Sequence, residues 1–157
     1  MRQILFLAIT VLILSSCGNN PQKEADQLLH EARALFEQGQ YDAARVAIDS
    51  LRRTYPNIVE ARRGALALHQ EIELKVAQEE LLSTDSLLQI ANRKLEALQE
   101  QVDANKKALR ATPEELTLLT RTRIWRDSIR TQYETLGAKI RYIRQKQEDS
   151  TPKTSDD

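Results

Sequence analysis

Residues 39–57, GQYDAARVAIDSLRRTYPN, contain the pattern of one amphipathic helix between two turns. A glycine opens the stretch, as is typical just after the end of a helix, and a proline near its end stops the helix within it. Apolar and small residues recur between them at helical spacing. The positions predicted to face inward are Ala44, Val46, Ala47, Ile48 and Leu51. The stretch therefore predicts a helix over residues 41–54.

Another amphipathic helix is predicted directly before this one, over residues 24–38. Its apolar stripe consists of Ala25, Leu28, Leu29, Ala32, Leu35 and Phe36. The preceding polar residues 18–22, GNNPQ, form a short tether. Within the tether, Asn20 and Pro21 combine a favoured capping residue with a proline suited to the first helical position. The two helices and the turn at Gly39 predict a helix-turn-helix unit.

This unit, over residues 25–58, resembles a tetratricopeptide repeat, which is a helix-turn-helix of 34 residues. The matching positions are Ala25, Ala32, Leu35, Gly39, Tyr41, Ala44, Ile48 and Pro56. Leu28 stands where the family usually has an aromatic residue, and Leu51 stands where alanine is common. The sequence of residues 35–56, LFEQGQYDAARVAIDSLRRTYP, also resembles repeats in envelope lipoproteins that assemble outer-membrane β-barrels. At least three repeats normally build a peptide-binding groove, and no second glycine–tyrosine turn follows this one. We therefore expect a single repeat that serves as a helical base for the rest of the chain, with residues 59–69 packed on it.

A long helix is predicted after this unit, because the chain has no proline between residues 57 and 113. It would contain about 50 residues and span roughly 75–80 Å at 1.5 Å per residue. Asn57 and Glu60 predict a capping box at its start. One heptad series is apolar, at Leu74, Leu81, Leu88, Leu95, Val102 and Leu109. A second series is small or mixed, at Ala77, Thr84, Ala91, Leu98 and Asn105. These two series predict one side of a coiled-coil seam.

A last helix is predicted to begin at Pro113, since Thr112 and Glu115 complete a second capping box. Its seam positions are Leu119, Thr122, Arg126, Ile129, Tyr133, Leu136, Ile140 and Ile143. The short break near residues 111–113 predicts an antiparallel coiled-coil hairpin over residues 59–147. The sequence therefore predicts an all-α fold. The polar tail, residues 148–157, is expected to be disordered.

The two arms of this hairpin carry opposite charge. Residues 71–103 include eight acidic and three basic side chains, whereas residues 121–146 include eight basic and two acidic ones. Antiparallel pairing about the predicted turn would place Glu80 near Arg141, Glu96 near Arg126 and Glu100 near Arg121. Each exposed pair contributes only a fraction of a kcal/mol, but together they favour this register.

Residues 1–16, MRQILFLAITVLILSS, have the features of a signal peptide. Arg2 supplies the positive charge, and the apolar run that follows is too short for a comfortable membrane span. The sequence LSSC at residues 14–17 resembles the bacterial lipobox, which implies cleavage before Cys17 and acylation of that cysteine. Cys17 is the only cysteine in the chain, so it has no internal disulfide partner. The alternative is a plain secretory signal with an incidental cysteine.

The resemblance also implies a location. In the Gram-negative sorting rule, an aspartate directly after the acylated cysteine retains a lipoprotein at the inner membrane, and this chain has Gly18 there. We therefore expect the protein to be lipid-anchored to the outer membrane, facing the periplasm or the cell surface, with residues 17–23 as the lipidated cysteine and tether.

The composition argues against several classes of function. With 23 basic and 23 acidic residues the formal net charge is zero, whereas nucleic-acid binders usually carry a basic surplus. The two histidines, His30 and His69, lie on different predicted helices. No motif for a zinc site, a catalytic nucleophile or a phosphate-binding loop occurs in the sequence. We therefore expect no enzymatic activity, no cofactor and no metal site.

The last predicted helix carries the candidate interaction residues. Leu118 and Trp125 are seven residues apart and lie beside the seam, so they form either an exposed apolar patch for a partner or a widening of the hairpin core. The basic residues 121–130 either dock an acidic partner or lipid headgroups or, as we favour, face the acidic arm of the same hairpin. The leading hypothesis is a lipid-anchored adaptor for an envelope protein. The alternative is a self-associating stalk, since small residues such as Ala77 and Ala91 leave room for another helix.

Overall fold

The computed structural model describes residues 20–150, and this part of the chain forms four α-helices and no β-strand. The helices are α1 (Pro21–Glu37), α2 (Tyr41–Thr54), α3 (Val59–Lys107) and α4 (Pro113–Ser150). The predicted all-α fold is confirmed. The predicted signal peptide, Cys17 and residues 151–157 lie outside the described residues.

Helix α1 begins three residues before its predicted start, within the tether. The side chain of Asn20 accepts a hydrogen bond of 3.1 Å from the backbone N–H of Gln22, and Pro21 occupies the first helical position. A capping side chain satisfies a backbone donor that has no partner inside the helix. The two residues therefore act as the helix start, and the tether is shorter than predicted.

The described chain divides into two compact units, and the division lies within α3, between His69 and Gln70. The first unit contains α1, α2 and the start of α3. Its fully buried side chains are Ala25, Ala32, Ala44, Ile48, Leu51, Ala65 and Leu68. Small residues dominate this set, which lets the helices approach closely. A Cβ atom added to Gly64 of α3 would lie 2.5 Å from a methyl group of Leu29 of α1, so this glycine is part of the close approach.

The prediction that Val46 faces inward is wrong. Its side chain is 66% exposed, while Ala44 and Ile48 on the same helix are completely buried. Successive residues of an α-helix are rotated by about 100°, so a position two residues from Ala44 points to the opposite side. Apolar composition alone had suggested burial.

Tyr55 connects the end of α2 to the start of α1. Its hydroxyl donates a half-buried hydrogen bond to the carboxylate of Glu24. This hydrogen bond, together with desolvation and the negative charge of Glu24, raises the pKa of Tyr55 above the ordinary value of 10.0. The phenol therefore stays protonated and remains a donor throughout the physiological pH range.

The second unit, residues 70–150, consists of the rest of α3 and all of α4. Near the turn, Asn105 Nδ2 donates to Glu115 Oε1 over 2.7 Å. Much further from the turn, Lys139 Nζ donates to Glu73 Oε2 over 2.8 Å. Contacts between residues that are increasingly distant in sequence require the two helices to run antiparallel. Between these points lies an apolar cluster of Ala77, Leu136 and Ile140, with Leu74 and Leu81 packed against it.

Helix α4 begins with the predicted capping box. The backbone N–H of Glu115 donates to Thr112 Oγ1 over 3.2 Å, and the backbone N–H of Thr112 donates to Glu115 Oε2 over 3.1 Å. The helix continues to Ser150, three residues into the predicted tail. No proline or glycine lies between Gly137 and Pro152 to end it earlier.

Helix α3 starts one residue later than the capping box at Asn57 and Glu60 predicted, and the Glu60 carboxylate instead accepts a hydrogen bond from Arg63 Nη1. The helix begins at Val59, and the carbonyl of Ile58 accepts the hydrogen bond from Arg62 N–H over 3.1 Å. Ile58 therefore occupies the capping position that the sequence had suggested for Asn57. The carbonyl of Pro56 accepts a hydrogen bond of 3.0 Å from Arg62 Nη1.

Leu109 was predicted as the last apolar position of the heptad series, and this prediction is wrong. Helix α3 ends at Lys107, and Leu109 is 96% exposed with a φ of 55°. Its N–H bonds to the carbonyl of Lys106, and the next N–H bonds to that of Asn105. These two bonds define a Schellman motif, in which the residue after the cap adopts the left-handed conformation.

The same motif ends α1, where the left-handed residue is Gly39 with a φ of 75°. The left-handed region costs an L-residue about 1–2 kcal/mol, whereas glycine enters it freely. We therefore expect Leu109→Gly to stabilise the hairpin by about 0.5–1 kcal/mol, after the greater flexibility of glycine in the unfolded chain is subtracted. Urea unfolding followed by circular dichroism measures this change.

The reciprocal substitution serves as the control. Gly39→Ala places a Cβ where no atom lies within 4 Å, so only the backbone conformation opposes it. We expect it to destabilise by about 1 kcal/mol. The two variants should change the free energy of unfolding in opposite directions. If both raise it or both lower it by the same amount, the left-handed conformation does not control stability at these turns.

Candidate functional site

One edge of the α3–α4 hairpin carries the candidate residues. Leu118 and Trp125 each directly precede a seam position of α4, which places both on the same side of the seam. Leu87 and Lys94 hold the equivalent places on α3, one residue before Leu88 and Leu95. In an antiparallel coiled coil, equivalent flanking positions of the two helices meet along one edge. The four side chains are therefore brought to a common edge.

The structure joins this edge through Trp125. Lys94 Nζ lies 5.9 Å from the centroid of the indole ring, within the range of a cation–π interaction. Ile90 lies one turn before Lys94 on α3. We call Leu87, Ile90, Lys94, Leu118 and Trp125 the tryptophan edge.

The apolar members of the tryptophan edge are about half exposed. The exposed fraction is 48% for Leu87, 49% for Ile90, 47% for Leu118 and 41% for Trp125. Leu118 and Trp125 are two helical turns apart, which corresponds to about 10 Å along the axis. Several exposed apolar side chains along one edge mark an interaction surface more often than isolated ones do. Tryptophan is also the residue type most enriched among energetically dominant interface positions.

Two other exposed apolar residues provide a contrast. Ile124 is 64% exposed and lies on the solvent side of α4, and Leu82 is 70% exposed on α3. Both stand outside the tryptophan edge. Singly exposed apolar side chains are normal on protein surfaces and indicate no site by themselves. Ile124 is next to Trp125 in sequence, which makes it a suitable comparison in experiments.

The basic residues 121–130 make contacts inside the hairpin. Arg123 Nη2 donates to Gln99 Oε1 of α3 over 3.1 Å. Arg130 pairs with Glu134, one turn further along the same helix, at 3.6 Å. Only the first contact reaches α3, and its acceptor is a neutral amide, so the interpretation that the basic run faces the acidic arm stays a prediction. The two contacts lie on the edge opposite to the tryptophan edge, because both arginines directly follow seam positions instead of preceding them.

Arg126 is the polar exception within the seam of α4. Its Nε is buried without a hydrogen bond and lies 3.3 Å from Asp127 Oδ1 in poor hydrogen-bonding geometry. Burying part of a guanidinium costs free energy unless it is fully paired.

Arg141, predicted to lie near Glu80, lines a shallow groove of about 480 Å³ together with Gln78 and Leu81 of α3. This places it beside the segment of α3 that contains Glu80. The ion pair itself stays a prediction.

The two histidines lie on different helices. His30 is exposed on α1, and His69 is half-buried on α3. Within residues 20–150, no group of three or more histidine, cysteine, aspartate and glutamate side chains is close enough to hold a metal ion. The tryptophan edge offers apolar contact area and one cation, the ammonium group of Lys94.

The sequence singled out Leu118 and Trp125 but missed Leu87, Ile90 and Lys94. A signal was present, because the heptad register places Leu87 and Lys94 directly before seam positions, as it does Leu118 and Trp125. The antiparallel register of α3 and α4 was needed to show that the α3 pair and the α4 pair share one edge, where Lys94 meets Trp125.

None of the helices within residues 20–150 combines the length and the apolar character needed to cross a bilayer. Comparison of the chain with protein-family models, with curated proteins and with solved structures found no match.

Proposed function

We propose that this protein is a non-enzymatic, lipid-anchored adaptor of the Gram-negative cell envelope, and that the tryptophan edge binds a protein partner. The observation that carries the proposal is a row of apolar side chains along one edge of the hairpin, Leu87, Ile90, Leu118 and Trp125, each between 41% and 49% exposed. Its position on two packed helices would hold the side chains in fixed relative positions. A preorganised surface loses less conformational entropy when it binds.

The anchor is proposed from the LSSC sequence at residues 14–17, which lies outside the described residues. Several acyl chains on Cys17 would hold the folded helices at a bilayer without a spanning helix. Gly18 favours the outer membrane by the sorting rule given above. Only Gly18 and Asn19 separate Cys17 from the cap of α1, so the first unit would lie close to the membrane surface.

A self-associating stalk is the second candidate, since the tryptophan edge is also able to pack against a second copy of itself. The small residues of α3, which the stalk hypothesis expects to leave room for another helix, do not support this function. Ala77, Thr84 and Ala91 are at most 3% exposed in the single chain, and Ala77 packs against Leu136 and Ile140. The space beside Ala77 is therefore already occupied by side chains of α4. Light scattering at high protein concentration separates the two functions, because the adaptor predicts a monomer.

We expect Trp125→Ser to weaken partner binding strongly while leaving the hairpin folded, since the indole is 41% exposed in the free protein. Loss of a central tryptophan from an interface costs at least about 2 kcal/mol, which is roughly a thirtyfold loss of affinity. Affinity capture from solubilised membranes, followed by mass spectrometry, identifies proteins recovered with the natural chain and lost with the variant.

Ile124→Ser is the matched control for this experiment. It removes a larger exposed fraction, 64%, from the neighbouring position outside the tryptophan edge. The proposal requires that Ile124→Ser retain the same captured proteins. Equal losses from both variants would argue for general surface stickiness, and recovery of no specific protein with the natural chain would reject the adaptor function.

A further inference from the structure

A second apolar surface lies in the first unit and shares no residue with the tryptophan edge. It is a groove between the end of α2 and the start of α3, with a volume of about 250 Å³. Its lining residues are Arg52, Val59, Arg62, Arg63 and Leu66. We call these five residues the arginine groove. Val59 and Leu66 are 59% and 52% exposed, so the apolar part of the groove is open to solvent.

The positive charge extends beyond the groove itself. A neighbouring hollow of about 520 Å³ shares Arg52 and Arg62 with it and adds Arg53, Asp49 and Pro56. Four guanidinium groups therefore surround the two concavities.

The carboxylates around these arginines compensate them incompletely. Glu60 lies 3.2 Å from Arg63, and Asp49 lies 4.0 Å from Arg52, at the outer limit of an ion pair. Arg62 is held by a neutral group, the carbonyl of Pro56. Four positive and two negative side chains leave a local surplus of about two positive charges, in a chain whose net charge is zero. An exposed arginine cluster of this kind favours anionic partners.

The groove is open because no further helix within residues 20–150 packs on the face of α3 that carries Val59 and Leu66. In a helical repeat, the helix after α2 would end within a few turns, and an antiparallel helix would then cover the face beside it. Here α3 continues as one helix to Lys107. The face of its first turns that carries Val59 and Leu66 is left uncovered.

We propose that the arginine groove binds an acidic amphipathic helix of another protein, with apolar side chains on Val59 and Leu66 and carboxylates on Arg52, Arg62 and Arg63. Val59 and Leu66 are seven residues apart, so they are separated by two helical turns, or about 10 Å. Helices that dock in grooves present apolar residues at the same repeat. Arginine on both walls suits carboxylates on both flanks of such a helix, because each guanidinium binds a carboxylate through two parallel hydrogen bonds.

A helix fits this surface better than a bilayer does. The surface is concave, and its apolar residues lie between arginines on two different helices, whereas a peripheral membrane surface is flat or convex with apolar residues outermost. This proposal does not depend on the lipid anchor or on binding at the tryptophan edge.

The test uses the full-length protein in mild detergent and a labelled synthetic peptide. The peptide is an acetylated and amidated alanine-based helix of about 18 residues, with leucine every three or four positions and glutamate on both flanks. A scrambled peptide of the same composition lacks the apolar stripe. Fluorescence anisotropy is expected to show saturable binding of the amphipathic peptide and at least about tenfold weaker binding of the scrambled one.

Variants locate the binding site. Leu66→Ser and Arg62→Glu are each expected to weaken peptide binding by about tenfold. Val46→Ser and Arg110→Glu are the matched controls, because both residues are exposed and lie outside the groove. They are expected to change the affinity by less than about twofold. Circular dichroism verifies that each variant remains helical.

Other outcomes overturn the proposal. Equal binding of the two peptides, or equal affinities of Leu66→Ser and Val46→Ser for the amphipathic peptide, would show that the apolar side chains of the groove are not recognised. A soluble short-chain anionic lipid provides the remaining comparison. If this lipid binds in a manner that depends on Arg62 while the amphipathic peptide does not bind, the arginine groove is a headgroup site and the proposal is wrong.

Discussion

Cys17→Ser is expected to move the protein from the membrane fraction to the soluble fraction almost completely. A serine hydroxyl cannot replace the thiol that lipid attachment requires. Each buried methylene of an acyl chain contributes about 0.8 kcal/mol to membrane binding, so the loss of even two chains removes more than any surface interaction of the folded helices supplies. Fractionation by ultracentrifugation with immunodetection measures the change. Mass spectrometry of the N-terminal peptide from the natural chain should show the loss of residues 1–16 and the added mass of the lipid.

Ser16→Gly is the control for this variant. It keeps a small residue before the cleavage position and leaves the thiol in place, so membrane attachment should persist. If Cys17→Ser stays in the membrane fraction, the anchor is not a lipid on this residue. An unmodified Cys17 in a chain that has lost residues 1–16 would indicate a plain secretory signal.

Ile140→Ala is expected to destabilise the hairpin by about 2–4 kcal/mol. The isoleucine is 7% exposed and packs with Ala77 and Leu136 in the apolar cluster of the second unit. Its truncation removes buried surface and leaves a cavity, because the substituted alanine and Ala77 are both too small to fill the space. Because native domains are stable by only about 5–15 kcal/mol, this loss is large. Urea unfolding followed by circular dichroism measures it.

Ile124→Ala removes the same atoms from the same helix at a position that is 64% exposed. The expected change is within about 0.5 kcal/mol, because alanine is the better helix former and little buried surface is lost. A similar loss from both variants would mean that α4 is not held by its packing against α3. Such a result would contradict the antiparallel arrangement of the second unit.

The helix ends that carry a complete capping signal were the most predictable boundaries of the fold, because local chemistry sets them. Asn20 with Pro21 starts α1, Gly39 ends it, and Thr112 with Glu115 starts α4. Each signal acts through backbone groups within a few residues of itself, so the sequence contains all the information it needs.

Predictions that depended on side-chain orientation were less secure. Val46 was assigned inward from its apolar character, although its angular position faces solvent. Leu109 extended a heptad series into the turn, because a series of identical spacing gives no sign that the helix has already ended. The proline at residue 113 limited the end of α3 but did not locate it at Lys107.

The candidate surfaces required tertiary information. The spacing of Leu118 and Trp125 showed that they share one side of α4 but left open whether that side is buried. The exposure of Trp125 depends on which α3 residue stands opposite, and Lys94 in that place leaves the indole 41% exposed. The arginine groove depends on the approach of α2 and α3. Arg52 and Leu66 are fourteen residues apart in sequence, and no local pattern relates them.

Trp125 is the only tryptophan in the chain, and it lies in the tryptophan edge with Lys94 beside its ring. The protein therefore contains its own optical reporter. An indole that is partly in water emits at longer wavelength than one enclosed by apolar side chains, and a nearby ammonium group perturbs its emission. Occupation of this edge by any ligand, including a second copy of the chain, would change the intrinsic fluorescence without the attachment of a dye.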